Sequence, residues 1–274
     1  MSEPSAKSPN NGPRVLVIAN QKGGVGKTTT AINLGTALAA VGEPTLLIDI
    51  DPQGNASTGL GIPRSERKIT TYDVLMGQAK LADAVVATRI PKLSLVPSTV
   101  DLSGAELELI DVDRRNHRLK EALAEYSAYG LSPFSYVLID CPPSLTLLTV
   151  NAMVAADAVV VPLQCEFFAL EGLSQLLKTI DLVRANLNAS LEIQGIVLTM
   201  FDKRNKLSDQ VAADVRENMG TMVYNTVVPR NVRISEAPSH GLPALVYDLK
   251  CPGSQAYIKL AGELIQRERM RAAA

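Results

Sequence analysis

The run Gln21-Lys22-Gly23-Gly24-Val25-Gly26-Lys27-Thr28-Thr29-Thr30 constrains this chain more than any other segment. An apolar stretch, Val15-Leu16-Val17-Ile18-Ala19, precedes it and reads as a buried strand. A small-residue run from Ala31 to Ala40 follows and reads as a helix packed closely on a sheet. Strand, glycine loop and helix start are the context of a phosphate-binding loop. Glycines let backbone N–H groups turn inward around an anion, and the helix N-terminus adds the positive end of its dipole. In that geometry Lys27 reaches the β- and γ-phosphates of a nucleotide, and the Thr28 hydroxyl is a ligand for Mg²⁺.

The loop departs from the common pattern in one respect. In G-x-x-x-x-G-K-[ST] the first glycine falls at position 21, which is Gln21 here. Lys22 is a second lysine, upstream of Lys27. From there it cannot easily serve the same phosphates from the same side. The expectation is a side chain free to reach a nucleotide held by a neighbouring subunit.

Apolar runs of strand length recur along the rest of the chain. They are Thr45–Asp49, Leu93–Pro97, Tyr136–Asp140, Ala158–Pro162, Ile193–Leu198 and Met222–Val228. Continuous rather than alternating apolarity argues for strands buried on both faces. Helical patterns lie between them: Ala105 to Tyr126, Leu170 to Leu187, Leu207 to Met219 and Gln255 to Met270, with a short helix at Tyr72–Met76. This alternation predicts an α/β fold, a doubly wound and mostly parallel sheet flanked by helices, with ligands at the C-terminal strand ends.

Carboxylates fall where such ligands would lie. In Leu47-Ile48-Asp49-Ile50-Asp51-Pro52, Asp49 ends one strand and Asp51 stands just beyond it. In Leu138-Ile139-Asp140-Cys141-Pro142-Pro143-Ser144, Asp140 ends another after four apolar residues, the Walker B form. A carboxylate at a strand end can hold Mg²⁺ through water, and one in a neighbouring loop can orient an attacking water. One aspartate after a strand often does no more than cap the next helix. Two of them downstream of a phosphate loop argue for a nucleotide site.

With 274 residues, 46 % apolar and 20 % charged, the chain supplies a large core. Residues 14–274 read as a single domain and residues 1–13, polar and rich in Ser, Pro and Asn, as a disordered tail. That tail has no apolar h-region and no run is long enough to span a membrane, so a cytoplasmic protein is expected. Cys141, Cys165 and Cys251 are widely spaced and give neither a disulfide framework nor a C-x-x-C pair. The net charge of −1 hides a gradient: from Phe201 to Ala274 there are 11 Lys/Arg against 8 Asp/Glu, and the remainder holds 16 against 20. A basic patch, if the chain has one, lies in the C-terminal part.

The two-lysine loop, the Asp49–Asn55 segment, the Asp140 segment and Val228-Pro229-Arg230-Asn231-Val232-Arg233-Ile234-Ser235-Glu236-Ala237-Pro238-Ser239-His240-Gly241 together resemble the ParA/Soj-type partition ATPases of the ParA/MinD superfamily, whose loop is a deviant Walker A box. The similarity runs from Arg14 to about Gln266. It implies a Mg²⁺-dependent ATPase that forms an ATP-bound homodimer, binds double-stranded DNA without sequence preference, and is released when a ParB-type centromere-binding protein stimulates hydrolysis. It implies nucleotide contacts from Lys22, Gly23, Gly24, Val25, Gly26, Lys27, Thr28 and Thr29, with Lys22 acting in trans, and adenine contacts from Pro229 and Asn231. Asp51 becomes the residue needed for hydrolysis, and Thr28, Asp49 and Asp140 surround the metal. Arg204, Arg230 and Arg233 match basic positions that hold DNA, which implies a nucleoid location.

Two relatives of that superfamily remain as alternatives. One docks on membrane through an amphipathic C-terminal helix, but here the helix ends in Arg267-Glu268-Arg269-Met270-Arg271 without bulky apolar anchors. The other holds an iron–sulfur cluster between subunits, which needs paired cysteines at the interface. His117 and His240 have no third partner that would make either a catalytic base or a metal ligand. Glu166 and Glu171 read either as helix caps or as residues lining a subunit interface.

Overall fold

A computed structural model describes residues 12–128 and 133–273. The tail expected over residues 1–13 therefore lies outside the described residues, apart from Gly12 and Pro13. Eight strands form one sheet: β1 (Arg14–Ile18), β2 (Thr45–Asp49), β3 (Val86–Ala87), β4 (Leu93–Val96), β5 (Tyr136–Asp140), β6 (Ala158–Gln164), β7 (Glu192–Phe201) and β8 (Val223–Pro229). The helices are α1 (Lys27–Ala40), α2 (Asn55–Gly59), α3 (Thr71–Met76), α4 (Leu81–Ala84), α5 (Leu102–Glu108), α6 (Arg118–Ala128), α7 (Leu147–Ala155), α8 (Ala169–Asn186), α9 (Lys206–Met219), α10 (Val232–Glu236), α11 (Ala244–Tyr247) and α12 (Pro252–Ala273).

The strand order is β3-β4-β2-β5-β1-β6-β7-β8, parallel except for the antiparallel edge strand β3. This is the expected α/β class. The chain leaves β1 toward β2 and β4, returns to β5, and then crosses to β6 and β7 on the far side. β1 is thus a topological switch point, where the loops after neighbouring strands part and leave a crevice.

Alternate residues of each strand feed two cores. Val15, Val17, Leu46, Ile48 and Ile139 belong to the core under α5 to α9, and Leu16, Ile18, Leu47 and Leu138 to the core under α1 and α12. Both sets are buried, so the continuous apolar runs are the expected signature of a sheet covered on both faces. α12 lays Tyr257, Leu260, Ala261 and Leu264 into the second core, and the Tyr257 hydroxyl meets Thr30 of α1 at 3.2 Å. Its apolar stripe is therefore consumed by the body. Among the described residues no helix is long and apolar enough to cross a membrane.

Two local expectations are corrected, and one helix is added. The helix anticipated from Ala105 to Tyr126 is two helices, α5 and α6, because the polar run Asp111 to Arg115 turns, with Arg114 at φ +55°. β7 and β6 run further than their apolar cores, to Phe201 and Gln164, and the longer end of β7 brings Thr199 and Met200 to the phosphate loop. α7 had no sequence signal of its own, since six of its nine residues are buried and it lacks a polar face.

Candidate active site

The loop between β1 and α1 is pinned at both shoulders. The Asn20 amide donates to Pro162 O at 2.8 Å and its carbonyl oxygen accepts Lys22 N at 3.0 Å. Gln21 donates to the Thr179 hydroxyl at 2.9 Å, and the Thr199 hydroxyl donates to Val25 O at 2.9 Å. Gly24 and Gly26 adopt φ +76° and +88°, the left-handed backbone that a side chain would strain. Gly26 is the N-cap of α1 and no side chain caps the helix, so the N–H groups of its first turn stay open toward the loop. Gly23 and Gly24 are exposed, Thr28 and Thr29 half-buried, and Lys27 is buried. This is an anion cradle.

The two lysines meet at one point. Lys27 Nζ donates to Lys22 O at 2.9 Å, and the Lys22 ammonium is paired with Glu166, which lies in the bend between β6 and α8. Lys22 was expected to be free. In the single chain it is held in cis by a carboxylate from the far side of β1. Burial lowers the Lys27 pKa, while Asp140, Cys141 and Asp51 oppose that shift. Lys27 is thus a desolvated cation waiting for more negative charge.

The three aspartates differ sharply. Asp49 and Asp140 are register partners on β2 and β5, and both share the face of Leu47 and Leu138, toward α1. Asp49 is fully engaged: Oδ2 accepts Ser57 N at 2.8 Å and Ser57 Oγ at 2.6 Å, and Oδ1 accepts Asp51 N at 3.3 Å. Its burial pushes the carboxyl up to about 6. Asp51 is buried, and its Oδ1 accepts Gln53 N at 2.9 Å. Asp140 is completely buried and neither carboxylate oxygen has a hydrogen-bond partner. Burial first and the Asp49 charge second push its pKa well up, with the nearby Thr28 hydroxyl and Lys27 charge pulling the other way.

An orphaned buried carboxylate beside a hydroxyl and an anion cradle fits a hard divalent cation. Thr28 and Asp140 are the residues that could hold it. Among the described residues no cluster of three or more His, Cys, Asp or Glu could hold a metal alone, so a cation here depends on phosphate oxygens and water for most of its shell.

Further along the same rim, the end of β7 approaches the loop, with the end of β8 paired beside it. A Cβ on Gly26 would lie 3.8 Å from the Met200 methyl. Met200 sits at φ +51°, an uncommon backbone for a non-glycine residue and one that sequence gave no reason to expect. Phe201 is in register with Pro229, and Arg230 N donates to Phe201 O at 3.0 Å. Asn231 caps α10 by accepting Arg233 N at 3.0 Å. A separate cleft of about 300 Å³ opens beside Thr28 and Thr29, walled by Asn33, Asn55, Thr58, Pro238 and Leu242, and neither Pro229 nor Asn231 lines it.

The three arginines are at this edge but each has company. Arg204 makes a two-pronged contact with Asp202, at 3.0 and 2.9 Å. Arg233 pairs with Glu236 at 2.9 Å and Asp248 at 3.6 Å. Arg230 is exposed, and its charge, with that of Arg204, helps hold Asp202 low. The cysteines are all buried and free, and His240 stacks on Tyr247 at 4.9 Å.

A family model described as an AAA domain matches residues 13–193. The chain is 67 % identical over 260 residues to the chromosome partitioning protein ParA of Caulobacter vibrioides, covering 95 % of this chain and 97 % of that one. The chain belongs to the ParA/Soj family of chromosome-partitioning proteins. Within that family it is 50 % identical over 251 residues to the sporulation initiation inhibitor protein Soj of Bacillus subtilis, covering 92 % of this chain and 98 % of that one. Among solved structures it is similar to cobyrinic acid a,c-diamide synthase from Mycobacterium smegmatis with bound ATP analog and magnesium. The TM-score is 0.81 and the identity 36 %, covering 94 % of this chain and 96 % of that one. The ParA/Soj relatives match over almost the whole chain, including the arginine-bearing edge at β7 and β8 that the family model does not reach.

Proposed function

We propose that the protein is an ATP-dependent switch that moves DNA. The observation that carries this reading is the arrangement around the loop: a buried Lys27, an unpartnered Asp140, and a half-buried Lys22 that is paired with Glu166 and joined to Lys27 through its own carbonyl. The loop N–H groups and Lys27 hold the phosphates of ATP, and Gly23, Gly24, Val25, Gly26, Thr28 and Thr29 shape that cradle. Thr28 and Asp140 face the magnesium ion, which supplies neutralisation of phosphate charge when bound. Asp51 orients the attacking water through the carboxylate oxygen that Gln53 leaves open. Pro229 and Asn231 flank the base beside Met200.

Lys22 acts across a dimer of two such faces, each chain completing the other's site. This role accounts for a second loop cation whose ammonium is held by Glu166 rather than turned into its own cradle. Phosphoryl transfer at such a site is positioning and charge neutralisation, so turnover is slow until a partner completes the geometry. By its family that partner is a ParB-type centromere-binding protein. The dimer brings two copies of Arg204, Arg230 and Arg233 to one duplex, and hydrolysis releases them. The same reading implies a cytoplasmic, nucleoid-associated protein.

The test is DNA binding across a salt series on two unrelated duplexes, with ATP and with ADP. Binding is expected only with ATP, equal for both sequences, and steeply weakened by salt because phosphate neutralisation dominates. Arg204→Glu or Arg233→Glu should weaken it and lower the salt slope by about one contact per subunit, with ATP binding intact. Equal binding with ADP and ATP would overturn the switch.

A further inference from the structure

The loop that carries Asp51 is fixed by a closed circuit of buried hydrogen bonds. Asp49 Oδ1 accepts Asp51 N at 3.3 Å, and Asp49 Oδ2 accepts both Ser57 N and Ser57 Oγ. Ser57 Oγ in turn accepts Ser98 N at 3.0 Å, and Ser98 Oγ donates to Asp51 O at 2.7 Å. Asp49, Ser57 and Ser98 are all fully buried. The circuit therefore grips the peptide units on both sides of Asp51, the N–H from Asp49 and the carbonyl from Ser98. Its outer edge is closed by Arg67, which donates to Ser98 O at 2.9 Å and to the Thr58 hydroxyl at 2.8 Å. Space is tight: Gly54 is at φ +61°, and a Cβ there would lie 2.5 Å from the Arg67 guanidinium and 2.8 Å from Ser98 O.

Asp140 offers the opposite case, with two oxygens and no partner. A carboxylate that already accepts three protein hydrogens has little capacity left for a cation, whereas an unpartnered one has all of it. We infer that Asp49 is a positioning residue for Asp51 rather than a ligand of the magnesium ion, and that Ser57 and Ser98 are its working partners. This rests on the proposed role of Asp51 in hydrolysis. It removes Asp49 from the metal shell suggested by the family resemblance and leaves Asp140 and Thr28 there. It also adds Ser98, from the end of β4, to the residues that set the rate.

The circuit and a metal role respond differently to mutation. Ser98→Ala removes the grip on the Asp51 carbonyl without touching the phosphate loop, Thr28 or Asp140. Turnover of ATP at saturation is expected to fall roughly ten- to a hundredfold, the scale of a small misplacement of a catalytic group. The KM for ATP, and the gain in ATP-analogue affinity on adding Mg²⁺, should stay within about twofold. Ser57→Ala should behave alike. Asp49→Asn should lower turnover while leaving that Mg²⁺ gain unchanged, whereas Asp140→Asn should abolish the gain. Fluorescent-analogue binding with and without Mg²⁺, alongside steady-state hydrolysis, reads both. Asp51→Ala is the control for the parent reading: if it hydrolyses ATP at the normal rate, Asp51 is not the hydrolytic residue and that reading falls. If Asp51→Ala is slow but Ser98→Ala and Ser57→Ala are as fast as the unaltered protein, the positioning circuit is refuted alone. Loss of the Mg²⁺ gain in Asp49→Asn would return Asp49 to the metal shell.

Discussion

The ends of β1, β2 and β5 and the ends of β7 and β8 lie on one rim of one sheet, yet they are built in opposite ways. At the first, Lys27, Asp49, Asp51 and Asp140 are buried, and Asp49, Asp51 and Lys27 are fixed by hydrogen bonds given above. At the second, Arg204, Arg230 and Arg233 are exposed, and the charges of Arg204 and Arg233 are spent on carboxylates of their own chain. The first region has paid for preorganisation through desolvation, which strengthens every charge inside it. The second stores exposed charge in weak pairs that a stronger anion can displace. A reaction needs atoms held in place, whereas a grip on a duplex that ignores sequence needs cations that can reach phosphates.

The largest effect that this contrast predicts is at Lys27. Lys27→Ala deletes the buried cation and the bond that ties it to Lys22 O, so affinity for ATP should fall by roughly a hundredfold or more. Isothermal titration with a non-hydrolysable analogue measures it. DNA binding should vanish with it, although no arginine has been touched. An affinity for the analogue close to that of the unaltered protein would break the contrast, because the buried region would then contribute no more than the exposed one.

The same division explains what the sequence disclosed. Phosphate binding by backbone leaves a local mark, since Gly24 and Gly26 must be glycine where φ is positive. Strands buried on both faces leave apolar runs, and Thr45–Asp49 and Tyr136–Asp140 have the expected limits. α7 was invisible because a short, mostly apolar helix whose two polar residues, Thr149 and Asn151, are also buried has no amphipathic period to read. The Ala105–Tyr126 helix failed because apolar spacing resumes after the Asp111–Arg115 turn and hides the break. Glu166 and Ser98 were illegible as partners for another reason. Glu166 meets a residue 144 positions away and Ser98 one 41 positions away, and nothing in the local pattern of either names its partner. Ser57 and Ser98 read as ordinary small polar residues until the fold brings them together.

A middle-sized effect should appear where the two styles meet, at Lys22. Its pair with Glu166 is partly exposed, with side chains 40 % and 33 % accessible, so it contributes about 0.5–1 kcal/mol and is weakened by salt. A dimer that redirects both lysines breaks two such pairs. Glu166→Gln should therefore lower the concentration for half-maximal ATP-dependent dimerisation by roughly tenfold in an Asp51→Ala background. The shift should disappear in the Lys22→Ala/Glu166→Gln double variant. Sedimentation velocity across a dilution series decides this. A higher dimerisation midpoint for Glu166→Gln would mean that Glu166 supports the interface instead of restraining Lys22.

The smallest effect belongs to the exposed edge itself. Asp202 accepts Arg204 Nε and a terminal guanidinium nitrogen on its two oxygens, and accepts Arg204 N as well. Those bonds, with the Arg204 and Arg230 charges, pull its carboxyl down to about 2, so it stays ionised at any working pH. Around Arg204 and Arg230 the local charge is therefore lower by one than the arginines alone would give. A duplex phosphate that engages Arg204 must displace Asp202 or share its guanidinium. Asp202→Asn keeps the side-chain volume and removes the competing charge. DNA affinity in the presence of ATP should rise by only roughly threefold, since an exposed pair is weak, and the salt slope should steepen by about one contact per subunit. Arg204→Glu moves both quantities the other way, and in the Asp202→Asn/Arg204→Ala double variant the gain should vanish. A gain that survives the loss of Arg204 would show that Asp202 repels DNA directly, and weaker binding in Asp202→Asn would mean that the pair holds Arg204 in its DNA-facing position. Either result would make this edge as preorganised as the nucleotide site.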